Sequence, residues 1–261
     1  MGGVRLMAAY SCKILETERL SAELYLVHAL LWEGTLPSAA GLVRGWTVRG
    51  ERIEAPVGFA DLGGAYRNRI KFFVDAGRCA DSAKAALRAA SSGGIEFAGA
   101  PLAIRTEGSK LFAVADASGT AAALPALLAA ARFGIPAELA WVGAMNKPVF
   151  RAWKSYADRL NVPVHAFQDN TALAKLLAGR PSGARLLAAC EWRELEAVRR
   201  RAREAGFAEE EMQCVVFGPP SPARPAPESD AERRGRLPIE ADQRTRRTIS
   251  AWLPRAKSAQ N

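Results

Sequence analysis

The loop Asp116-Ala117-Ser118-Gly119-Thr120 is the first place in this chain where residue types and spacing suggest chemistry. It follows a short apolar run, LFAVA, and opens an alanine-rich helical stretch, AAALPALLAAARF. Small residues at such a turn let the backbone approach a ligand. The free amides of the helix start favour an anion, and Ser118 and Thr120 add hydroxyls. A plain strand-to-helix turn needs small residues too. The second cluster is Arg44-Gly45-Trp46-Thr47-Val48-Arg49. On a strand, Arg44, Trp46 and Val48 share one face, and Thr47 and Arg49 share the other. A guanidinium for a phosphate would then stand beside an aromatic surface for a ring. An edge strand with a core tryptophan and exposed arginines has the same pattern. Third, Asp81-Ser82-Ala83-Lys84 reads as a capped helix start whose amides and lysine suit a pyrophosphate, and an ordinary surface helix starts the same way. Fourth, Cys190-Glu191 ends an apolar run at the edge where parallel sheets hold ligands; a buried structural cysteine is the alternative.

The elements that must position these clusters differ between the two halves of the chain. From residue 110, strands at 111–116, 138–143, 164–167, 185–190 and 213–217 alternate with helices at 122–133, 149–160, 171–177 and 194–205. That alternation predicts βαβ units, a doubly wound parallel sheet and a ligand at the carboxyl ends of its strands. In the last helix Leu195, Val198, Ala202 and Ala205 repeat at helical spacing, which leaves Arg199, Arg200, Arg201 and Arg203 as a solvated face. The first hundred residues instead offer short β pieces at 11–16, 23–29, 45–49, 70–75 and 95–98, with one helix at 82–90. Gly34, Pro37, Gly41, Gly58, Gly63 and Gly64 punctuate them. The fold class expected is therefore α/β plus all-β: an antiparallel β-barrel over 1–107, then a doubly wound parallel α/β domain over 108–218. The run PPSPARPAPESDAERRGR sets apart 219–261 as a Pro/Arg-rich, disordered tail, with a short apolar patch at 249–253.

Composition narrows the function classes. Nearly half the residues are hydrophobic (49%), enough for a substantial core. No continuous apolar run approaches the length of a membrane span, and the first residues, MGGVRLMAAYSCK, contain no signal-peptide core. Cys12, Cys79, Cys190 and Cys214 are widely spaced and form no CxxC pair, which fits reduced thiols in a cytoplasm and gives no metal site. His28 and His165 are the only histidines, and there is no HExxH, GxSxG or P-loop pattern, so hydrolase chemistry lacks an apparatus and no catalytic side chain is assigned. The net charge of +9 would serve a phosphate-bearing cofactor or an anionic small molecule as well as nucleic acid. Nucleic acid is the weakest of these partners.

Taken in order, the pieces resemble the ferredoxin-reductase superfamily, and most nearly its siderophore-interacting proteins, which are FAD-dependent ferric-siderophore reductases. Arg44-Gly45-Trp46-Thr47 is similar to the family's Arg-x-Tyr-Ser/Thr strand. Residues 70–75, Gly77 and the start of the 82–90 helix are similar to its pyrophosphate-facing unit. Asp116–Thr120 with Leu124-Pro125 is similar to its nucleotide turn and early helix proline, and Ala189-Cys190-Glu191 to a closing strand end. Trp46 stands where the family has tyrosine, and Glu191-Trp192 follows Cys190 where it has Gly-Pro.

The resemblance implies an FAD-binding barrel, an NAD(P)-binding α/β domain and hydride transfer from NAD(P)H to FAD. Electrons then pass to a small-molecule acceptor such as a ferric siderophore. It implies that Arg44 holds an FAD phosphate, Trp46 stacks by the flavin, and Thr47 with Val48 lines the ring system. Ser82, Ala83 and Lys84 take the pyrophosphate. Asp116, Ser118, Gly119 and Thr120 face the nicotinamide nucleotide, with Cys190 and Glu191 lining that pocket. The rival reading is a ferredoxin-reductase-like module without redox activity, acting in binding or regulation.

Overall fold

A computed structural model describes residues 9–36, 38–43, 45–48, 50–53, 56–62, 68–75, 81, 85, 87, 93–98, 101–167 and 170–217. The first half folds into strands β1 (Ala9–Arg19), β2 (Leu24–Glu33), β3 (Ala40–Val43), β4 (Trp46–Val48), β5 (Glu51–Ile53), β6 (Val57–Asp61), β7 (Arg69–Asp75), β8 (Gly93–Ala98) and β9 (Leu102–Ala103). They form one antiparallel sheet in the order β5-β4-β8-β1-β2-β7-β6-β3-β9. β3 and β4 follow one another in the chain yet sit near opposite ends of that order, so the sheet curls round into a half-barrel. Residues of one parity fill the interior, among them Ile14, Val27, Trp46, Val48, Phe59, Phe72, Ile95 and Phe97.

The second half is a five-stranded parallel sheet in the order β12-β11-β10-β13-β14, built from β10 (Leu111–Ala115), β11 (Ala137–Trp141), β12 (Val164–Ala166), β13 (Arg185–Glu191) and β14 (Met212–Phe217). Four helices connect them: α1 (Thr120–Arg132), α2 (Lys147–Arg159), α3 (Asn170–Ala178) and α4 (Trp192–Glu204). The sheet is covered on both faces. Leu111, Ala113 and Ala115 of β10 pack with α1 and α2, whereas Phe112 and Val114 pack with α3 and α4. This is the expected doubly wound α/β domain behind an antiparallel barrel.

Helix α1 joins the halves. Every residue from Thr120 to Ala130 is buried. One side of the helix meets β10, β11 and β13, and the other meets β3, β6 and β7. Leu24, Leu26, Leu42, Ala60 and Phe73 of the barrel therefore share one core with α1, Trp141 and Trp153. The approach is closest at Gly58 of β6, where a Cβ would stand 1.5 Å from the Ala121 carbonyl oxygen and 2.5 Å from Pro125 Cγ. Pro125 has no N–H to offer the carbonyl four residues earlier, which is that of Ala121. The Ala121 carbonyl oxygen instead occupies the space beside the Gly58 Cα where a side chain would begin.

Gly41 and Gly58, read as punctuation from the sequence, thus lie inside strands. Each is where another group needs the space of a side chain; a Cβ on Gly41 would come within 2.5 Å of the Phe59 ring. Gly34 has a positive φ of 90°, as a turn glycine does. Pro37, Gly63 and Gly64 lie outside the described residues. Two further links tie the halves together: Arg159 of α2 pairs with Glu18 of β1 at 2.7 Å, and Gln213 of β14 exchanges hydrogen bonds with Arg105 N and Ala103 O. The arginines of α4 meet glutamates: Arg203 pairs with Glu209, Arg201 with Glu204, and Arg199 with Glu196 and Glu209.

Candidate functional site

In a doubly wound sheet the ligand crevice opens where two neighbouring strands send their helices to opposite faces. Here those strands are β10 and β13: the loop after β10 feeds α1 on one face, and Glu191 at the end of β13 feeds α4 on the other. The sequence-selected residues Asp116, Ser118, Gly119, Thr120, Cys190 and Glu191 do converge at this point. What they do there differs from the expectation.

Asp116 is only 8% exposed, and its carboxylate bridges the ends of β10 and β13. Oδ1 accepts from Ser118 N at 2.8 Å, Gly119 N at 3.1 Å and the Ser118 hydroxyl. Oδ2 accepts from Glu191 N at 2.7 Å, across the sheet. The backbone donors expected to hold a nucleotide phosphate are thus satisfied by a side chain of the protein. The 3-10 turn Ala117–Gly119 that carries two of them is capped by Asp116, whose extended backbone (φ −95°, ψ −174°) precedes the turn.

The neighbouring groups also face inward. The Thr120 hydroxyl donates to Ala117 O at 2.8 Å and accepts from the buried Trp153 indole at 3.0 Å. Ser118 is 4% exposed. A Cβ on Gly119 would stand 1.7 Å from Ala189 O, so this glycine is small because β13 lies against it, not because a ligand does. Cys190 is fully buried on the α3/α4 face, and its thiol donates to Val114 O at 3.6 Å. Burial first, and then the charge of Asp116, push that thiol well above its ordinary pKa. It is a packed core thiol. The Ser118 and Thr120 hydroxyls and the Cys190 thiol, expected to face a nucleotide, have partners within the protein.

On the barrel, β4 places Trp46 and Val48 inward and leaves Thr47 half-buried, opposite Glu96 of β8. Trp46 is 2% exposed within the barrel core, and its indole nitrogen has no partner among the described residues. No ring face is exposed for stacking on a flavin. The outward position of β4 belongs to Thr47, the member of the motif able to meet a ligand lying on the barrel. Arg44, Ser82, Ala83 and Lys84 lie outside the described residues. The turn signal that reveals the crevice was in the sequence: Asp followed at two and three residues by Ser and Gly is a self-capping pattern. The long-range bond from Glu191 N to Asp116 had no sequence signal.

No known family's sequence profile matches the chain, and no curated protein matches it. Solved structures do. A flavohemoglobin from Malassezia yamatoensis with bound FAD and heme superposes with a TM-score of 0.55 at 12% identity, over 81% of this chain and 60% of that one. The chain thus spans less than two thirds of the flavohemoglobin. A ferredoxin reductase of carbazole 1,9a-dioxygenase gives a TM-score of 0.56 at 12% identity, over 83% and 71%. A siderophore-interacting protein from Acinetobacter baumannii gives 0.51 at 15% identity, over 80% and 90%. Strand order and these solved structures agree, and the fold of this chain is ferredoxin-reductase-like.

Proposed function

We propose that this chain is a flavin-dependent oxidoreductase, with FAD lying against the barrel at Thr47, the half-buried residue of β4, and a phosphate of it held by Arg44. The pyrophosphate would lie at Ser82, Ala83 and Lys84. A bound flavin supplies the redox chemistry, and the protein holds and orients it. The observation that carries the reading is the curled antiparallel sheet followed by a parallel sheet of order β12-β11-β10-β13-β14. The acceptor class favoured is an anionic small molecule such as a ferric siderophore, which suits the basic chain. NAD(P)H does not fit the crevice through the amides of Ser118, Gly119 and Glu191 while Asp116 fills them.

A second reading, a module of this fold without redox activity, is favoured by that filled crevice and by the enclosed ring of Trp46. One experiment separates the two. The purified chain is incubated with FAD, desalted, and its visible absorbance recorded. Flavin bands in stoichiometric amount, lost in Arg44→Ala with the fold intact, support the oxidoreductase. A colourless protein after desalting supports the module.

A further inference from the structure

From the crevice geometry we infer that Asp116 is a built-in counter-anion seated where a dinucleotide pyrophosphate would lie, so that this crevice selects against NAD(P)H and other diphosphate ligands. The inference rests on the ferredoxin-reductase-like reading only for where such a ligand would dock. Three backbone amides and one hydroxyl converge on the two oxygens of one buried carboxylate, and one of those amides comes from the far strand, 75 residues away in sequence. An incoming phosphate has to displace a group tethered to the same loop. That group gives up no translational freedom in binding, whereas the ligand does. Displaced but still attached, the carboxylate then faces the phosphate with like charge. Space adds to the exclusion: Gly119 is already pressed on Ala189 O, and the Thr120 hydroxyl is shared between Ala117 and Trp153. Asp116 is in this sense a specificity residue that closes the site while holding β10 to β13.

The test is an amide-resolved NMR titration of the full chain with NADP+, and separately with inorganic pyrophosphate, at millimolar concentration. In the unaltered protein the Ser118, Gly119 and Glu191 amide signals stay in place. Shifts of those three signals overturn the inference. Asp116→Gly empties the seat, and Asp116→Asn keeps an acceptor oxygen but removes the charge. In either folded variant, pyrophosphate moves the same amides, with affinity at least about tenfold above the unaltered chain. A variant that keeps its circular dichroism and gains no affinity overturns the inference. If both variants fail to fold, the titration of the unaltered chain decides alone. Flavin absorbance is read on the same samples, so absent flavin bands would count against the proposed function without touching this result.

Discussion

Replacing Gly58 by alanine tests whether the two halves are joined as described. The added Cβ falls 1.5 Å from Ala121 O, where a carbon and a carbonyl oxygen need about 3.3 Å. Strand β6 and helix α1 must therefore separate by nearly 2 Å. Helix α1 has nowhere to go, because every residue from Thr120 to Ala130 is buried and its far side lies on β10 and β13. Overpacking a close-packed core costs about 1–3 kcal/mol, and a displacement this large belongs at the upper end. Glycine to alanine in a strand would otherwise be stabilising by about 0.5–1 kcal/mol, so the strain has to overcome that gain as well. The expected net loss is about 2 kcal/mol, equivalent to a melting temperature lower by roughly 4–8 °C for a chain of this size. Urea unfolding followed by tryptophan fluorescence measures it. Gly45→Ala is the control, since nothing lies within 4 Å of its added Cβ, and it should stay within about 0.5 kcal/mol of the parent. A Gly58→Ala midpoint shift as small as the control's would refute the close packing of α1 on β6.

Three other perturbations have definite expected outcomes. Thr120→Val keeps the shape but removes the acceptor of the buried Trp153 indole, and should cost about 1–3 kcal/mol in urea unfolding, with Thr120→Ser restoring most of it. His28 stands in register between Glu16 and Lys71, its Nε2 buried without a partner among the described residues; burial first, then Lys71, lower its pKa. The unfolded chain therefore binds this proton more readily, and stability should fall as pH drops through about 6.5, less steeply in His28→Gln, as read from melting temperatures across that window. Burial pushes Cys12 up to about 12 and Cys190 well above its ordinary value, while Cys214 is exposed. In a Cys79→Ser background, a thiol reagent at neutral pH should titrate one thiol in the native chain and all three after unfolding; fast reaction of a second native thiol would contradict the packing.

The parallel half was legible almost residue by residue, because its strands are apolar runs and its helices have a clear period. Strands expected at 111–116, 185–190 and 213–217 are observed as Leu111–Ala115, Arg185–Glu191 and Met212–Phe217. The barrel was read less completely. β3 and β6 were missed because each carries a glycine whose role is set by a partner distant in sequence: Phe59 for Gly41, and Ala121 for Gly58. The site shows the same division. Its location at the ends of β10 and β13 follows from strand order. The direction in which its groups point depends on hydrogen bonds across 75 residues, which residue type and spacing do not encode.

The placement of α1 also constrains how the chain can be made. A ribosome finishes the last barrel strand, β9, at Ala103, yet the outward apolar strip of Leu24, Leu26, Leu42, Ala60 and Phe73 is covered by a helix that ends at Arg132. At ordinary elongation rates the next 29 residues take about 1.5–6 s to add, and for that interval the nascent barrel presents an oily flank with no cover of its own. A fragment ending near residue 107 would keep the flank permanently bare.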